Sequence, residues 1–380
     1  MTATARLITR EEDLEPHLAG WDALAGACRR PMAAPGWLLP WWRHVAPEGA
    51  LLRTVVLEDD GELVGLAPFY AHPGRLGRFD YRLLGVPLSQ RVAPLAAPGR
   101  ERELAEATAS AISRARPLPA LISFEAIEEG SREPDLLAKS YPGILPPRIT
   151  RGQVQACPMV TLGQDSFDAW LEQRSSNFRQ QYRRATRQLA EAGGRRRLAN
   201  AESLERDVES FWRLHHARWE WRGGSGLPEH MRELILDSAG QLGVGERLRL
   251  WMIELGDEAI GAGLFIEGGG DIVYVNGGFD EDHARLRPAL LAIAAAVEEG
   301  FERGEQRLDL GSGANPYKQR FSDAEPNLTW IALRIRNRRY PLTWAQLVPG
   351  QLRWYARVAA NRLPESQRER LKTAARKIRR

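Results

Sequence analysis

The sequence predicts an α/β (α+β) fold made of two mixed sheets with flanking helices. At 380 residues the chain is too long for one ordinary hydrophobic core, so two domains are expected. Both parts of the chain run through a similar order of hairpin, strand, helix and strand, which is typical of an α/β unit. We therefore expect a duplicated unit, with domains over residues 1–155 and 156–338 and a basic helical tail over residues 339–380.

Composition is typical of a soluble globular protein and excludes several classes. Hydrophobic residues make up 43% of the chain and charged residues 27%. The two cysteines, Cys28 and Cys157, provide neither a disulfide framework nor a metal cluster, so we expect no metal and a reducing compartment. The sequence shows neither a signal segment nor an apolar run of membrane-spanning length, and a cytoplasmic protein is the expectation.

Basic residues are concentrated in two segments, although the net charge of the whole chain is only +4. Residues 174–197 hold eight arginines and one acidic residue, and residues 351–380 hold ten basic residues and two acidic ones. Such patches on an otherwise acidic body indicate an anionic partner, for example a nucleotide, RNA or an anionic surface. For the C-terminal segment, improved solubility is an equally simple interpretation.

The first part of the chain contains a hairpin, a helix and a further strand. Strands at residues 51–58 and 63–70 flank a short acidic turn with a glycine, which predicts the hairpin. An alanine-rich helix is predicted at residues 101–114 and a buried strand at residues 120–126. Prolines and glycines predict a loop over residues 130–150.

A helix at residues 177–192 carries a row of arginines. Ser175 or Ser176 begins this helix and two glycines end it. Arg179 and Arg183 are four residues apart, so they lie on the same face. Because few acidic residues compensate them, we expect both arginines to bind an anionic part of a donor or acceptor.

A second helix, at residues 204–222, contains His215 and Arg218. His215 lies on the apolar stripe, so we interpret it as a core or cleft-edge residue rather than a catalytic base. With one neighbouring histidine and no nearby cysteine, metal binding is not expected there. We include both residues among the candidates for substrate binding.

The most informative pattern begins where three antiparallel strands end, at residues 271–279. A polar loop, a helix at residues 287–303 and a strand at residues 306–310 follow. The first N–H groups of a helix lack partners and lie at the positive end of its dipole, so this helix start predicts an anion pocket. The candidate residues for donor binding are Gly277, Gly278, Phe279, Arg285, Arg287, Ala289 and Leu290.

A second cluster of polar residues follows the last of these strands. Asp309 lies between two leucines, where a carboxylate must be paired or must face a cleft. A tyrosine can return a proton to a leaving thiolate, and a lysine can bind an anionic acceptor or a developing oxyanion. We therefore predict Asp309, Tyr317 and Lys318 as catalytic residues and Arg320 as a substrate-binding residue.

Several segments, in order, resemble the CelD/BcsL acetyltransferases, a cellulose-biosynthesis-type branch of the GNAT superfamily. The resemblance spans about residues 155–335 and is carried by the segments at 175–185, 214–218, 278–280, 309–311 and 317–321. It implies a tandem GNAT-like acyl-CoA N-acyltransferase fold with a degenerate N-terminal domain and an active C-terminal one. It also implies acetyl-CoA or another acyl-CoA as co-substrate, with its pyrophosphate at residues 285–290.

The chain departs from that family at residues 285–289, where the usual glycines are absent. FemABX-type transferases, which use aminoacyl-tRNA, have the same architecture. They also carry a basic helix resembling residues 179–185 and a segment resembling residues 317–321.

The sequence thus predicts an N-acyltransferase in which an amine acceptor attacks the acyl-CoA directly, since no activated nucleophile is visible. The resemblance implies an amine acceptor that is a small molecule or a precursor of peptidoglycan or polysaccharide. Two alternatives stay open. One is an aminoacyl transferase that uses charged tRNA, and the other is a non-catalytic module that binds a nucleotide or polyanion.

Overall fold

The computed structural model describes residues 3–74, 77–163, 166–220, 227–313, 315–336 and 340–341. The predicted basic tail, apart from residues 340–341, lies outside the described residues. The structure does not describe the side chains of residues 218–220 either, so the predicted substrate-binding role of Arg218 lies outside the described residues.

The described residues form sixteen strands and ten α-helices. The strands are β1 Thr4–Ile8, β2 Leu51–Leu52, β3 Thr54–Asp59, β4 Glu62–Ala67, β5 Phe69–Pro73, β6 Phe79–Leu83, β7 Leu95–Ala96, β8 Leu121–Glu128, β9 Arg148–Ala156, β10 Met159–Thr161, β11 Gly194–Leu198, β12 Leu248–Leu255, β13 Glu258–Gly268, β14 Asp271–Phe279, β15 Arg307–Asp309 and β16 Asn327–Arg334. The helices are α1 Leu18–Ala27, α2 Pro35–His44, α3 Glu101–Arg114, α4 Glu133–Ser140, α5 Phe167–Glu172, α6 Ser176–Glu191, α7 Leu204–Glu220, α8 Met231–Leu242, α9 Pro288–Glu302 and α10 Pro316–Gln319.

The first part of the chain forms two sheets instead of one. Their strand orders are β1-β3-β4-β7 and β2-β5-β6-β8-β16-β9. Each predicted strand of the hairpin is divided between the two sheets, at Arg53 and at Pro68. Proline has no N–H to donate to a ladder, so the interruption at Pro68 separates β4 from β5.

The second part of the chain forms one sheet in the order β10-β15-β14-β13-β12-β11. Strands β12, β13 and β14 are the predicted antiparallel meander. Helix α9 then crosses over the sheet to β15, which pairs with β14 in parallel. The buried face of α9 is mostly alanine, leucine and isoleucine and packs on this sheet. The predicted order of strand, helix and strand is confirmed.

The last strand crosses between the two parts. β16 pairs with β8 on one side and with β9 on the other, so it lies in a sheet of the first part. By contrast, β10 follows the boundary predicted at residue 155 and pairs with β15 within the sheet of the second part. The domain boundaries at 155 and 338 stay a prediction, but β16 joins the two parts in addition to the chain itself.

The predicted loop over residues 130–150 is wrong, because it contains α4 and the start of β9. Pro134 stands at the first turn of α4, where a missing N–H costs nothing and a fixed φ favours the helix. Elsewhere Ser175 caps α6, as predicted, by accepting a hydrogen bond from the Phe178 N–H. Within the described residues no helix is both long and apolar enough to cross a membrane.

Candidate active site

Strands β14 and β15 pair for three residues and then separate. The parallel ladder ends with Val273 opposite Asp309, whereas β14 continues to the partly exposed Phe279. Immediately beyond this last pair, a β-bulge lies opposite β13, between Tyr274 and Asn276. The side chains before the separation are buried, and those at the bulge are partly exposed. Among the described strands, none covers this edge of β14, so the separation leaves a split in the sheet where a ligand can lie against the backbone.

His215 of α7 lies on one side of this split. It is 2% exposed, and its Nδ1 is 3.2 Å from the carbonyl oxygen of Gly277. A Cβ added to Gly278 would collide with the backbone of His215, and one added to Gly277 would collide with the hydroxyl of Tyr274. The space beside both glycines is therefore occupied by α7 and Tyr274, whereas the sequence analysis predicted that a ligand would bind there.

Lys318 of α10 borders the other side of the split. Its Nζ donates to the carbonyl oxygens of Gly311 and Ser312, each at 3.1 Å. A Cβ built on Gly311 would lie 3.5 Å from this Nζ and 3.7 Å from the carbonyl oxygen of Tyr274 on β14. Burial lowers the pKa of Lys318 below its ordinary value, although the neighbouring Cys157 and Asp309 favour the charged form. Lys318 thus places a buried amino group at the start of the split.

Asp309 is fully engaged in protein contacts and is 3% exposed. Its Oδ2 accepts a hydrogen bond from Arg91 Nε at 2.5 Å. Its Oδ1 accepts hydrogen bonds from the Cys157 thiol at 2.9 Å and from the Gly311 N–H at 2.7 Å. Burial, and secondly the Asp309 carboxylate, raise the pKa of Cys157, so this thiol stays protonated and able to donate. The geometry favours an orienting role for Asp309 over a proton-accepting one.

The partner of Asp309 comes from the first part of the chain. Arg91 is 7% exposed, and its guanidinium also contacts Glu128. The adjacent Gln90 makes two hydrogen bonds with Ser312. Its Nε2 donates to the Ser312 Oγ at 2.9 Å, and its Oε1 accepts from the Ser312 N–H at 2.8 Å. The sequence indicates that a buried Asp309 needs a partner, but no local pattern identifies Gln90 or Arg91. These two residues hold the loop whose carbonyl groups bind Lys318.

Two predicted anion-binding residues converge at the start of α9. Nη1 of Arg287 and Nη1 of Arg320 both donate to Oε1 of Gln181, at 2.9 and 3.1 Å. Within the described residues neither arginine forms an ion pair with a carboxylate, and the N–H groups of Ala289 and Leu290 have no hydrogen-bond acceptor. The sequence prediction assigned Arg287 to the donor and Arg320 to the substrate, whereas the structure brings both arginines together around Gln181. The sequence prediction did not include Gln181.

The other predicted arginines divide into two groups. Arg179 donates to the carbonyl oxygens of Glu172 and Arg174, at 2.8 and 2.6 Å, so it caps the end of α5. Arg183 and Arg285 are exposed and have no hydrogen bond or ion pair with any residue that the structure describes. Arg179 and Arg183 therefore do not act as a pair, even though they share a helix face.

Tyr317 is partly buried beside Lys318. It packs against an apolar cluster that surrounds α9 and includes Trp170 and Phe321. The short helix α10 carries Tyr317 and Lys318, Arg320 follows it directly, and the three side chains have different surroundings. Tyr317 lies against the core, Lys318 at the split, and Arg320 at the start of α9.

Charge distinguishes α9 from α3, the crossover helix of the first part. Helix α3 connects β6 to β8, which also pair in parallel over three residues. Its first turn carries Glu101 and Glu103, and its preceding Arg100 is paired with Glu103 and Asp59. The first turn of α9 has no acidic residue. An anion is therefore favoured at the start of α9 and repelled at the start of α3.

Comparisons with known proteins agree with this geometry. Residues 176–319 match the model of the acetyltransferase (GNAT) domain. A search of curated protein sequences gave no match. Among solved structures, the chain is similar to FemX at 12% identity and a TM-score of 0.62, over 89% of this chain and 99% of that one. It is also similar to the C-terminal domain of an Agrobacterium fabrum protein described as a lysylphosphatidylglycerol synthetase, at 8% identity and a TM-score of 0.54, over 87% and 94% of the two chains.

At such low identities the structural likeness shows the fold alone. The fold is the predicted one, with a meander, a crossover helix and a parallel strand in each part of the chain. The domain match covers α6 through α10, which are the elements that surround the split and the start of α9. Residues 176–319 therefore form a GNAT-type acyltransferase domain on a tandem α/β framework.

Proposed function

We propose that the protein is an N-acyltransferase of the CelD/BcsL type, which transfers an acyl group from acyl-CoA to an amine by direct attack. One observation carries the proposal: the split beside β14 lies in the same domain as an arginine cluster at the start of α9 that has no acidic partner among the described residues. Arg285, Arg287, Arg320 and the N–H groups of Ala289 and Leu290 would bind the pyrophosphate of CoA. The acyl end would lie along the uncovered edge of β14.

The proposed reaction replaces a C–S bond by a C–N bond and moves one proton. The amine lone pair attacks the thioester carbonyl carbon, the C–N bond forms, the C–S bond breaks with loss of the CoA thiolate, and the amine nitrogen gives up a proton to solvent. Backbone N–H groups along β14 would polarise the thioester carbonyl. Tyr317 would return a proton to the thiolate, and Lys318 would contact the oxyanion or the acceptor. Asp309 orients the loop that binds Lys318.

His215 and Arg183 are the residues that we assign to the acceptor side of the site. His215 would form the wall of the split opposite Lys318, because it is held at Gly277. Arg183 would bind an anionic part of the acceptor, since its guanidinium is exposed and is not used within the described structure. An anionic precursor of peptidoglycan or polysaccharide that bears an amine would fit such a site.

Calorimetry with acetyl-CoA tests the donor site. Arg287→Ala and Arg320→Ala should each weaken binding by about 10- to 100-fold, the value of one hydrogen bond to a charged group. Arg187→Ala is the matched control, because Arg187 is an exposed arginine on α6 whose partner is Glu191. Equal affinity of the wild type and the Arg287→Ala/Arg320→Ala double variant would show that the pyrophosphate binds elsewhere.

Turnover tests the chemical roles separately from binding. Release of the CoA thiol in the presence of candidate amines should fall in Tyr317→Phe and in Lys318→Ala. If both variants kept wild-type rates, their proposed roles would be wrong. Tight binding of acetyl-CoA without turnover on any amine would favour a non-catalytic binding module.

A second candidate function is aminoacyl transfer from charged tRNA. The likeness to FemX over 89% of the chain favours it, as do the exposed arginines Arg183 and Arg184 on α6. RNA binding would weaken steeply as salt is raised, because each phosphate contact releases counterions. Transfer from charged tRNA, with no transfer from acyl-CoA, would establish this alternative.

A further inference from the structure

Apolar side chains are exposed at one end of the sheet β2-β5-β6-β8-β16-β9. Five large apolar side chains are exposed in the described structure, and four of them lie at or beside the strand termini of this end. They are Leu51, Leu118, Ile144 and Leu145, which are 36%, 42%, 102% and 56% exposed. The strand registers place them at the same end of the sheet, because they align the starts of β2, β6, β8 and β9 with the ends of β5 and β16. We call this region the apolar sheet end.

Ile144 and Leu145 form its tip. They stand between Pro142 and Pro146 in the connection from α4 to β9. A fully exposed isoleucine next to an exposed leucine keeps apolar surface in water, which costs free energy and usually marks a contact surface. The prolines restrict the backbone around the tip, so little conformational entropy is lost when the tip is bound.

The charge around the tip is mainly positive. Arg148 begins β9, Arg116 precedes β8, and Arg336 follows β16, and all three are exposed. The acidic residues nearby are mostly neutralised, since Asp80 is paired with Arg78 and Asp135 with Arg151. Among the described residues at this end of the sheet, the other acidic residue is Glu48, which lies before β2.

The chain continues from this same end. β16 finishes at Arg334, directly opposite Arg148 at the start of β9. The sequence beyond it includes residues 351–380, with ten basic residues and two acidic ones. The described chain after β16 therefore places the exposed Arg336 at the same end of the sheet as the tip.

We propose that the apolar sheet end docks on an anionic lipid bilayer, with Ile144 and Leu145 inserted among the headgroups. Stable attachment of a protein to a bilayer surface requires two signals, and here they are apolar insertion and the exposed arginines Arg116, Arg148 and Arg336. Lysine and arginine side chains near an anionic surface add electrostatic attraction to the bilayer. RNA would use the arginines but not the isoleucine and leucine, so the tip favours a bilayer. This inference is independent of the proposed acyl transfer.

Co-sedimentation of the full chain with vesicles tests the proposal. The wild type should bind vesicles that contain phosphatidylglycerol and should bind pure phosphatidylcholine weakly. The double variant Ile144→Ser/Leu145→Ser should lower the partition coefficient on anionic vesicles at least about tenfold, because two aliphatic side chains no longer leave water. Both residues are exposed, so the thermal midpoint should stay unchanged.

Val154→Ser is the matched control. Val154 is the fifth exposed apolar side chain, at 50%, and it lies along β9 away from the tip, opposite Thr329. Its substitution should leave vesicle binding unchanged. Wild-type partition of the Ile144→Ser/Leu145→Ser variant would overturn the proposal. So would light scattering that shows a dimer in the wild type and a monomer in the double variant, because the tip would then bind a second copy.

Discussion

Asp309→Ala is the substitution that separates a structural carboxylate from a chemical one. It leaves the buried guanidinium of Arg91 with Glu128 as its remaining carboxylate, and it removes the acceptor of the Cys157 thiol and the Gly311 N–H. Removing one partner of a buried ion pair costs about 3–5 kcal/mol. Glu128 is 43% exposed and keeps part of the compensation, so we expect a loss near the lower end, about 3 kcal/mol.

Urea denaturation measures this loss as a lower midpoint at an unchanged slope. Asp135→Ala is the matched control, because the pair of Asp135 and Arg151 is exposed and should be worth less than about 1 kcal/mol. Replacing both members of the buried pair, in Arg91→Met/Asp309→Leu, should recover part of the stability. If Asp309→Ala kept wild-type stability but lost acyl transfer, Asp309 would act in the chemistry and the orienting role would be refuted.

Three further predictions concern buried groups and close contacts. Burial lowers the pKa of Lys318 in the folded protein below 10.5, so the unfolded chain binds more protons than the folded one between the two pKa values. The stability of the wild type relative to Lys318→Met should therefore rise with pH in that window. Urea midpoints at several pH values would show this rise. Gly278→Ala should unfold the protein at a lower temperature because its Cβ meets the backbone of α7, whereas Gly240→Ala on α8 meets no atom within 4 Å and should stabilise by up to about 1 kcal/mol. A thiol reagent should label Cys28 in the native protein and Cys157 only after denaturation, since burial raises the pKa of Cys157, and mass spectrometry would count the labels.

Local patterns were sufficient to predict the elements around the site. Strand β14, helix α9 and strand β15 follow from alternating apolar residues, a proline at a helix start and a glycine-rich loop, all of which act over a few residues. The predicted helix over residues 101–114 has the same bounds as α3. These features depend on the backbone preferences of neighbouring residues, which can be inferred from a short stretch of sequence.

Features that depend on distant contacts could not be predicted. The insertion of β16 between β8 and β9 is a choice of partner, and its alternating pattern is compatible with any sheet that has room for a strand. Arg91 and Asp309 are 218 residues apart, so their pairing has no local signal. Gly278 illustrates the same limit, because a glycine indicates close approach without showing whether a ligand or α7 approaches.

Hydrogen exchange with and without acetyl-CoA tests the central claim most directly, namely that an acyl donor binds between the split in the sheet and the start of α9. The account predicts slower exchange over residues 274–279 and 286–291 when acetyl-CoA is added, with no change over residues 100–105 at the acidic start of α3. Unchanged exchange at 286–291, or slowing at 100–105 alone, would contradict it.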